Sequence, residues 1–122
     1  MLFRSYENEF KNIEKLHVQE TYKDCIHSQW MFGIRMEDSR YDEAEIYFHK
    51  NGIEIRPFFY PASAHPYVQN ALDSNLIIVD QEKITRQLNE EIIILPSFPG
   101  ITISERQKVV STVKNYISEI RK

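Results

Sequence analysis

The order of apolar and polar positions near the start of the chain predicts a helix and then a strand. From Ser5 to Leu16 apolar residues recur at spacings of four, three and three, with charges between them, which is typical of an amphipathic helix that Ser5 can cap. From Trp30 to Met36 every second residue is apolar, which predicts a strand with one strongly apolar face. The mixed, polar residues from Val18 to Ser28 predict a connection.

The middle of the chain predicts a helix, a short strand and an ordered loop. Apolar residues between Tyr41 and Lys50, with Gly52 just beyond, are typical of a helix and its C-terminal glycine. The candidate caps of this helix precede it or open it: Asp38, Ser39 and Asp42. Residues Ile53 to Arg56 alternate as a short strand does, and Pro57 ends that strand or confines it to an edge. Three prolines and three aromatic residues between Pro57 and Pro66 predict an ordered loop.

The last third of the chain predicts short elements and then a long helix. Residues 69–73 fit one helical turn, and residues 80–89 fit a short helix in which Ile84 and Leu88 are four apart. The apolar run from Glu91 to Leu95 predicts a compact strand.

A final helix is predicted to start at Thr102 or Ser104, where Ser104 and Gln107 fit a capping box. The chain has no internal repeat or linker, so residues 1–122 are interpreted as one α+β domain with a small sheet and flanking helices.

Composition and charge describe an ordinary small domain. Of the 122 residues 42% are hydrophobic and 27% are charged, so the chain can bury one modest core and should fold. A net charge of −3 gives no electrostatic basis for binding nucleic acid or an anionic membrane. The single cysteine, Cys25, cannot form an intramolecular disulfide, and no signal peptide or membrane-length apolar run is visible. We therefore expect a cytoplasmic protein.

Common catalytic motifs do not fit this sequence. The three glycines stand far apart, which excludes a glycine-rich phosphate loop. The four histidines lack the spacing of a metal site, and a surface position is favoured for each. Cys25 and His27 have no visible residue to orient them as nucleophile and base. Carboxylates such as Glu90 and Glu91 are typical of a solvated surface.

The segment from Arg56 to Pro61 is the best candidate for a binding site. Its prolines can fix a loop in which guanidinium and phenol groups face an anionic or hydroxylated ligand. The alternative is that its aromatic residues fill the core while Arg56 caps a helix or pairs with a surface carboxylate. Composition alone favours this alternative.

Several segments, taken in order, resemble the C-terminal region of one enzyme family. They are residues 28–32 (Ser-Gln-Trp-Met-Phe), 50–61 (Lys-Asn-Gly-Ile-Glu-Ile-Arg-Pro-Phe-Phe-Tyr-Pro), 66–67 (Pro-Tyr), 94–99 (Ile-Leu-Pro-Ser-Phe-Pro), 103–105 (Ile-Ser-Glu) and 107–110 (Gln-Lys-Val-Val). This order is similar to the DegT/DnrJ/EryC1/StrS family of nucleotide-sugar aminotransferases, which use pyridoxal phosphate (PLP). The resemblance extends from about Tyr6 to Ile120. Residues 56–61 are most similar to the perosamine synthetase-like branch, which aminates a GDP-linked 4-keto-6-deoxymannose.

The resemblance implies the small C-terminal domain of an aspartate-aminotransferase-type fold, with a mainly antiparallel sheet of about three strands. In this family the catalytic lysine and most cofactor contacts belong to a large domain, which we do not expect among these 122 residues. We therefore expect no catalytic residue and no cofactor bound by this chain alone, although the complete enzyme needs PLP. The implied partners are a large PLP-binding domain or chain and a nucleotide-sugar substrate, and a homodimer is compatible with them.

The resemblance also implies which residues approach the substrate. They lie in and after the second strand: Arg56, Tyr60, Ser63, His65 and Tyr67. Many relatives have a histidine at the position of Ser63, whereas this chain has its histidine two residues later. Ser63 can donate one hydrogen bond but cannot carry a proton as histidine does.

Three functions follow as hypotheses. In the first, the chain is the substrate-side domain of an aminotransferase that acts on a 4-keto-6-deoxy sugar nucleotide, and it is not active by itself. In the second, it is a non-catalytic binding or interaction module, or a gene remnant that keeps the fold. An independent enzyme of another class comes third. A large exposed apolar patch would favour the first hypothesis, and a polar surface the second.

Overall fold

The computed structural model describes residues 2–28, 30–74 and 82–120, and these residues form an α+β domain. The helices in the described ranges are α1 (Leu2–Phe10), α2 (Tyr41–Lys50), α3 (Pro66–Asp73), α4 (Lys83–Glu91) and α5 (Ile103–Ile120). The strands are β1 (Leu16–Val18), β2 (Phe32–Met36), β3 (Arg56–Pro57) and β4 (Ile92–Leu95). The predicted fold class is confirmed.

The strands form one antiparallel sheet in the order β1-β2-β4-β3. Phe32 at the start of β2 lies opposite Leu95 at the end of β4, and Arg56 of β3 lies opposite Ile94. β3 is therefore an edge strand, which suits Pro57 because proline has no amide hydrogen to donate to a further strand.

The first helix ends earlier than the sequence predicts. The strand β1, which the sequence did not predict, follows it. α1 stops at Phe10, and Asn12 and Lys15 then adopt φ angles of 67° and 62°. This left-handed backbone cannot continue a right-handed helix, so the chain turns and Leu16 begins β1. Leu16 is buried in the same core as α1, which is why its spacing imitates a helical stripe.

The core lies on one face of the sheet. Phe32, Ile34 and Met36 of β2 all point into it, as the alternation predicts. Trp30 does not follow that prediction, because it lies before the strand and is 71% exposed. Helices α1, α2 and α5 cover the core with apolar side chains that include Tyr6, Phe48 and Val113.

Several predicted helix ends differ from the structure. α2 has the predicted bounds and Gly52 follows it at a φ of 68°, but its N-cap is Arg40, without a side-chain cap bond. The capping box of α5 uses Thr102 and Glu105 instead of Ser104 and Gln107. Glu105 donates its amide to Thr102 Oγ1 at 3.2 Å, and the Thr102 amide donates to Glu105 Oε2 at 2.7 Å.

α3 and α4 also differ from prediction. α3 begins at Pro66, where proline costs no intrahelical hydrogen bond. α4 includes Glu91, which the sequence pattern places in the next strand, and the predicted start at residues 80 and 81 lies outside the described residues. Ile84 is 67% exposed, so apolar packing of Ile84 does not hold α4 in place.

Candidate functional site

An open groove of about 710 Å³ lies at one end of the sheet, where β4 ends and β2 and β3 begin. Apolar and polar residues both line it, and the apolar ones include Trp30, Met31, Ile94, Pro96, Phe98 and Pro99. Two of these side chains are unusually exposed for their type, Trp30 at 71% and Phe98 at 52%. Exposed aromatic side chains around a concave surface are typical of an interaction or ligand site.

Charged side chains stand among the groove's lining residues. Arg56 lies on the same face of the sheet as its cross-strand neighbour Ile94, and its Nε is 4.0 Å from Glu54 Oε1. Both side chains are well exposed, so this contact is weak and leaves the guanidinium accessible to an anion. Lys108 of α5 also lines the groove. Its Nζ lies close to Gly52, 3.2 Å from the position that a Cβ on Gly52 would take.

A partly buried hydrogen bond supports the loop that forms one wall of the groove. Tyr6 of α1 is fully buried and its hydroxyl donates to the carbonyl of Pro96 at 3.0 Å. Burial raises the pKa of Tyr6 to about 12, with a smaller opposing effect from Arg106. Tyr6 therefore stays protonated and donating at every physiological pH.

Tyr60 lines a second, smaller cavity of about 180 Å³ on the other side of β3. Its lining residues are Arg40, Tyr41, Asp42, Pro57, Tyr60, Asn89 and Glu90. Tyr41 donates to Glu45 Oε1 at 2.9 Å, and burial together with this bond raises its pKa. Successive residues of a strand point to opposite faces, so Arg56 and Pro57 line different cavities. The structure thus does not bring Arg56 and Tyr60 into one pocket.

The other three predicted site residues, Ser63, His65 and Tyr67, follow Tyr60 in the chain. Ser63 sits in a turn of 3-10 helix, Ala62–Ala64, and is 4% exposed. Its hydroxyl donates to the Glu82 carboxylate and accepts from Arg86 Nη2 at 3.2 Å, so it already has two partners. His65 and Tyr67 are exposed, and their rings stack with centroids 5.5 Å apart.

α4 and the residue before it contribute side chains that the sequence pattern does not single out. Glu82 and Arg86 hold Ser63, and the hydrogen bond from Ser63, with that from Arg86, lowers the pKa of Glu82. Asn89 donates to the carbonyls of Phe58 and Phe59 at 2.9 and 3.2 Å. The sequence places Glu82, Arg86 and Asn89 at spacings of four and three, on one face of a helix. This pattern alone could not identify them as contacts of Ser63 and the aromatic residues, because a solvated helix face has the same pattern.

The prediction that Glu91 is a surface carboxylate was wrong. Glu91 is 6% exposed, and it accepts hydrogen bonds from Arg35 Nε at 2.6 Å and from Gln87 Nε2 at 2.9 Å. Burial acts to raise the pKa of Glu91, but the bonds from Gln87 and Arg35 outweigh it, so the pKa lies below its ordinary value. This pair attaches the end of α4 to β2.

Glu91→Gln is expected to lower the free energy of unfolding by about 2 kcal/mol near neutral pH. The loss is smaller than for a fully buried pair, because about a third of the Arg35 side chain is exposed. A lowered folded-state pKa stabilises the protein above the unfolded pKa, and this contribution is lost as pH falls through the folded pKa. In urea unfolding, the difference in free energy of unfolding between wild type and variant should therefore become smaller below about pH 4.

The neighbouring Glu90→Gln is the matched control, since Glu90 is exposed. Its effect on unfolding is expected within about 0.5 kcal/mol. Equal losses for the two variants at neutral pH would contradict the buried pair.

Neither a metal cluster nor a membrane-crossing helix occurs in the described part of the chain. Within residues 2–28, 30–74 and 82–120, no three histidine, cysteine, aspartate or glutamate side chains gather as a metal site. In the same ranges no helix has the length and hydropathy that crossing a bilayer requires.

Comparison with known proteins decides the family. Residues 1–114 match the model of the DegT/DnrJ/EryC1/StrS aminotransferase family. The chain belongs to this family. It is 26% identical over 106 residues to the GDP-perosamine synthase of Vibrio cholerae, a match that covers 84% of this chain and 28% of that protein.

Two solved structures show the same fold. The sugar aminotransferase CalS13 from Micromonospora echinospora matches 93% of this chain at a TM-score of 0.74 and 19% identity, over 28% of its own length. The PLP-form of Spr1654 from Streptococcus pneumoniae matches 98% at a TM-score of 0.77 and 17% identity, over 30% of its length. The chain therefore spans less than a third of each of these relatives.

The family is PLP-dependent, but the described residues do not fit the cofactor. A lysine that bonds PLP must be desolvated enough to lose its proton, whereas every described lysine is exposed. Lys15 is moreover paired with Asp38 at 2.6 Å, a hydrogen bond that raises its pKa. The N-terminus of α5 could attract a phosphate, but the Glu105 carboxylate already accepts the Thr102 amide there. The described part of this chain therefore provides no lysine suited to hold the cofactor.

Proposed function

We propose that this chain acts as the small, substrate-side domain of a PLP-dependent nucleotide-sugar aminotransferase. The amino acceptor would be a 4-keto-6-deoxy sugar nucleotide, and a large domain or chain would supply the lysine and the cofactor. The chain's own task is to bind and orient the substrate and to exclude water from one side of the site. The relative named GDP-perosamine synthase supports this substrate class.

The observation that carries the proposal is the groove that contains Arg56. Ligand sites form preferentially at domain interfaces, and this groove combines exposed Trp30 and Phe98 with an accessible guanidinium. The aromatic rim offers the apolar area that a large domain would cover. A guanidinium matches the paired oxygens of a diphosphate, the group that links nucleotide to sugar.

The remaining predicted residues suit the sugar end of such a substrate. The Tyr60 hydroxyl and the His65 ring are exposed polar groups, and Tyr67 stacked on His65 offers a flat ring face for a sugar. We assign Ser63 to the support of this loop, because its buried hydroxyl is already bonded to Glu82 and Arg86.

The test is reconstitution with a lysine-bearing large-domain chain from the same family. Mixing the two chains with PLP should produce the absorbance band of lysine-bound PLP and amino transfer to a 4-keto-6-deoxy sugar nucleotide. This chain alone with PLP should produce neither. If the mixture binds PLP no better than the large chain alone and transfers no amino group, the non-catalytic module is the better description.

Arg56→Ala should raise KM for the nucleotide sugar about tenfold in the reconstituted enzyme, because one charge-assisted contact to the diphosphate is removed. Arg4→Ala on α1 is the matched control, since Arg4 is exposed and does not line the groove. Steady-state kinetics with varied nucleotide sugar measures both. An unchanged KM for Arg56→Ala would remove Arg56 from the substrate site.

A further inference from the structure

α4 presents a polar face to the aromatic loop that follows β3. Glu82 is the residue that precedes α4, and Arg86 and Asn89 follow it at spacings of four and three, so the three side chains share one face. Glu82 and Asn89 are half-buried, although their residue types favour the surface. A half-buried polar face is retained in a fold when its hydrogen bonds are satisfied by a specific partner.

That partner is the loop of residues 58–65, which is bonded at two points, one at its start and one at Ser63. At its start, Asn89 Nδ2 donates to the Phe58 and Phe59 carbonyls at 2.9 and 3.2 Å. At the second point, the Ser63 hydroxyl bonds to Glu82 and Arg86, and Arg86 Nη2 donates to Glu82 at 2.8 Å. One helix therefore fixes two points of the loop.

Apolar packing holds Pro61, which is buried, but does little for the two aromatic residues between these points. Phe59 and Tyr60 are 60% and 59% exposed, so burial cannot determine where they lie. Pro57 and Pro61 restrict the backbone on either side but contribute no amide hydrogen bond. The conformation that displays Tyr60 thus depends on the polar contacts with α4 together with the buried Pro61.

α4 is itself attached firmly to the sheet. It continues directly into β4, and its last residue, Glu91, pairs with Arg35 of β2. A loop bonded to α4 is therefore fixed relative to the sheet that carries Arg56.

We propose that Glu82, Arg86 and Asn89 are positioning residues that hold the loop of residues 58–65 in one conformation and so orient Tyr60 and His65 for ligand binding. The part of the proposal that α4 orders the loop does not depend on the proposed function. The effect on ligand binding rests on the proposed function, with a nucleotide sugar as the ligand.

The first measurement is amide hydrogen exchange of the full chain. Arg86→Ala and Asn89→Ala should each speed exchange over residues 58–65 about fivefold, read at Ala64 and His65, whose amides donate to the Pro61 and Ala62 carbonyls while the loop is closed. Exchange in β2 and β4 should stay unchanged. Arg4→Ala on α1 and Asn70→Ala on α3 are matched controls, since both side chains are exposed and make no hydrogen bond to a described residue.

Ser63 provides a rescue test within the same experiment. Ser63→Ala should speed exchange over residues 58–65, whereas Ser63→Thr keeps the hydroxyl and should restore slow exchange. Unchanged exchange in the Arg86 and Asn89 variants would overturn the proposal. A rise that extends equally into β2 and β4 would also overturn it, because the residues would then stabilise the whole fold.

The second measurement separates positioning from mere support. In the reconstituted enzyme, Asn89→Ala should raise KM for the nucleotide sugar several-fold more than KM for the amino donor. Faster loop exchange with equal changes in both constants would refute the role in ligand binding. If wild type itself fails to reconstitute, the proposed function fails, while the exchange result still decides whether α4 orders the loop.

Discussion

Phe48→Ala is expected to lower the free energy of unfolding by about 4 kcal/mol. Phe48 is fully buried where α2 meets α5, and its ring lies edge-on to Tyr116 with centroids 5.7 Å apart. Truncation removes the buried ring and leaves a cavity that the surrounding side chains cannot fill. This loss is a large part of the total stability of a small domain, which is about 5–15 kcal/mol. The melting temperature should therefore fall by roughly 10–15 °C.

Ile46→Ala is the matched control on the same helix. Ile46 lies two residues before Phe48 but is 58% exposed, so its truncation should change stability by less than about 0.5 kcal/mol. Urea unfolding followed by circular dichroism measures both variants. Similar losses for the two would contradict the orientation of α2 in which Ala44 and Phe48 face the core.

The sequence predicted elements whose signal is local and repeated. α2 has the predicted bounds, because its apolar residues and the following Gly52 both predict a helix that ends near Lys50. The start of the chain was different, since Leu16 keeps a helical spacing while Asn12 and Lys15 turn the backbone through left-handed conformations. Such conformations are rare for residues other than glycine, so nothing in the sequence pointed to β1.

The candidate site was predictable only where one segment carries it. Arg56 could be identified because a strand end next to prolines and aromatics is a local pattern, and its use in binding stays a prediction. The partners of Ser63 and Glu91 could not be identified, since Glu82 lies 19 residues from Ser63 and Arg35 lies 56 residues from Glu91. Long-range pairs of polar or charged residues have no periodic signal in a single sequence, and each partner alone is typical of a solvated surface.

Trp30→Ala is expected to weaken association with the large-domain chain about a hundredfold, if the groove is the surface that the large domain covers. Trp30 is 71% exposed in this chain and lines the groove beside Met31 and Phe98. A tryptophan that becomes buried at an interface is among the residues whose truncation costs most binding energy, about 2–4 kcal/mol. Isothermal titration of this chain into the large-domain chain measures the loss.

Tyr22→Ala separates a groove effect from the general loss of an exposed aromatic side chain. Tyr22 is 86% exposed and does not line the groove, so its truncation should leave the association constant within about twofold. Trp30→Ala should also leave the stability of this chain almost unchanged, because the side chain is already in water here. Equal and small effects of both substitutions would mean that the large domain docks elsewhere, and the groove would then be open to solvent in the assembled enzyme.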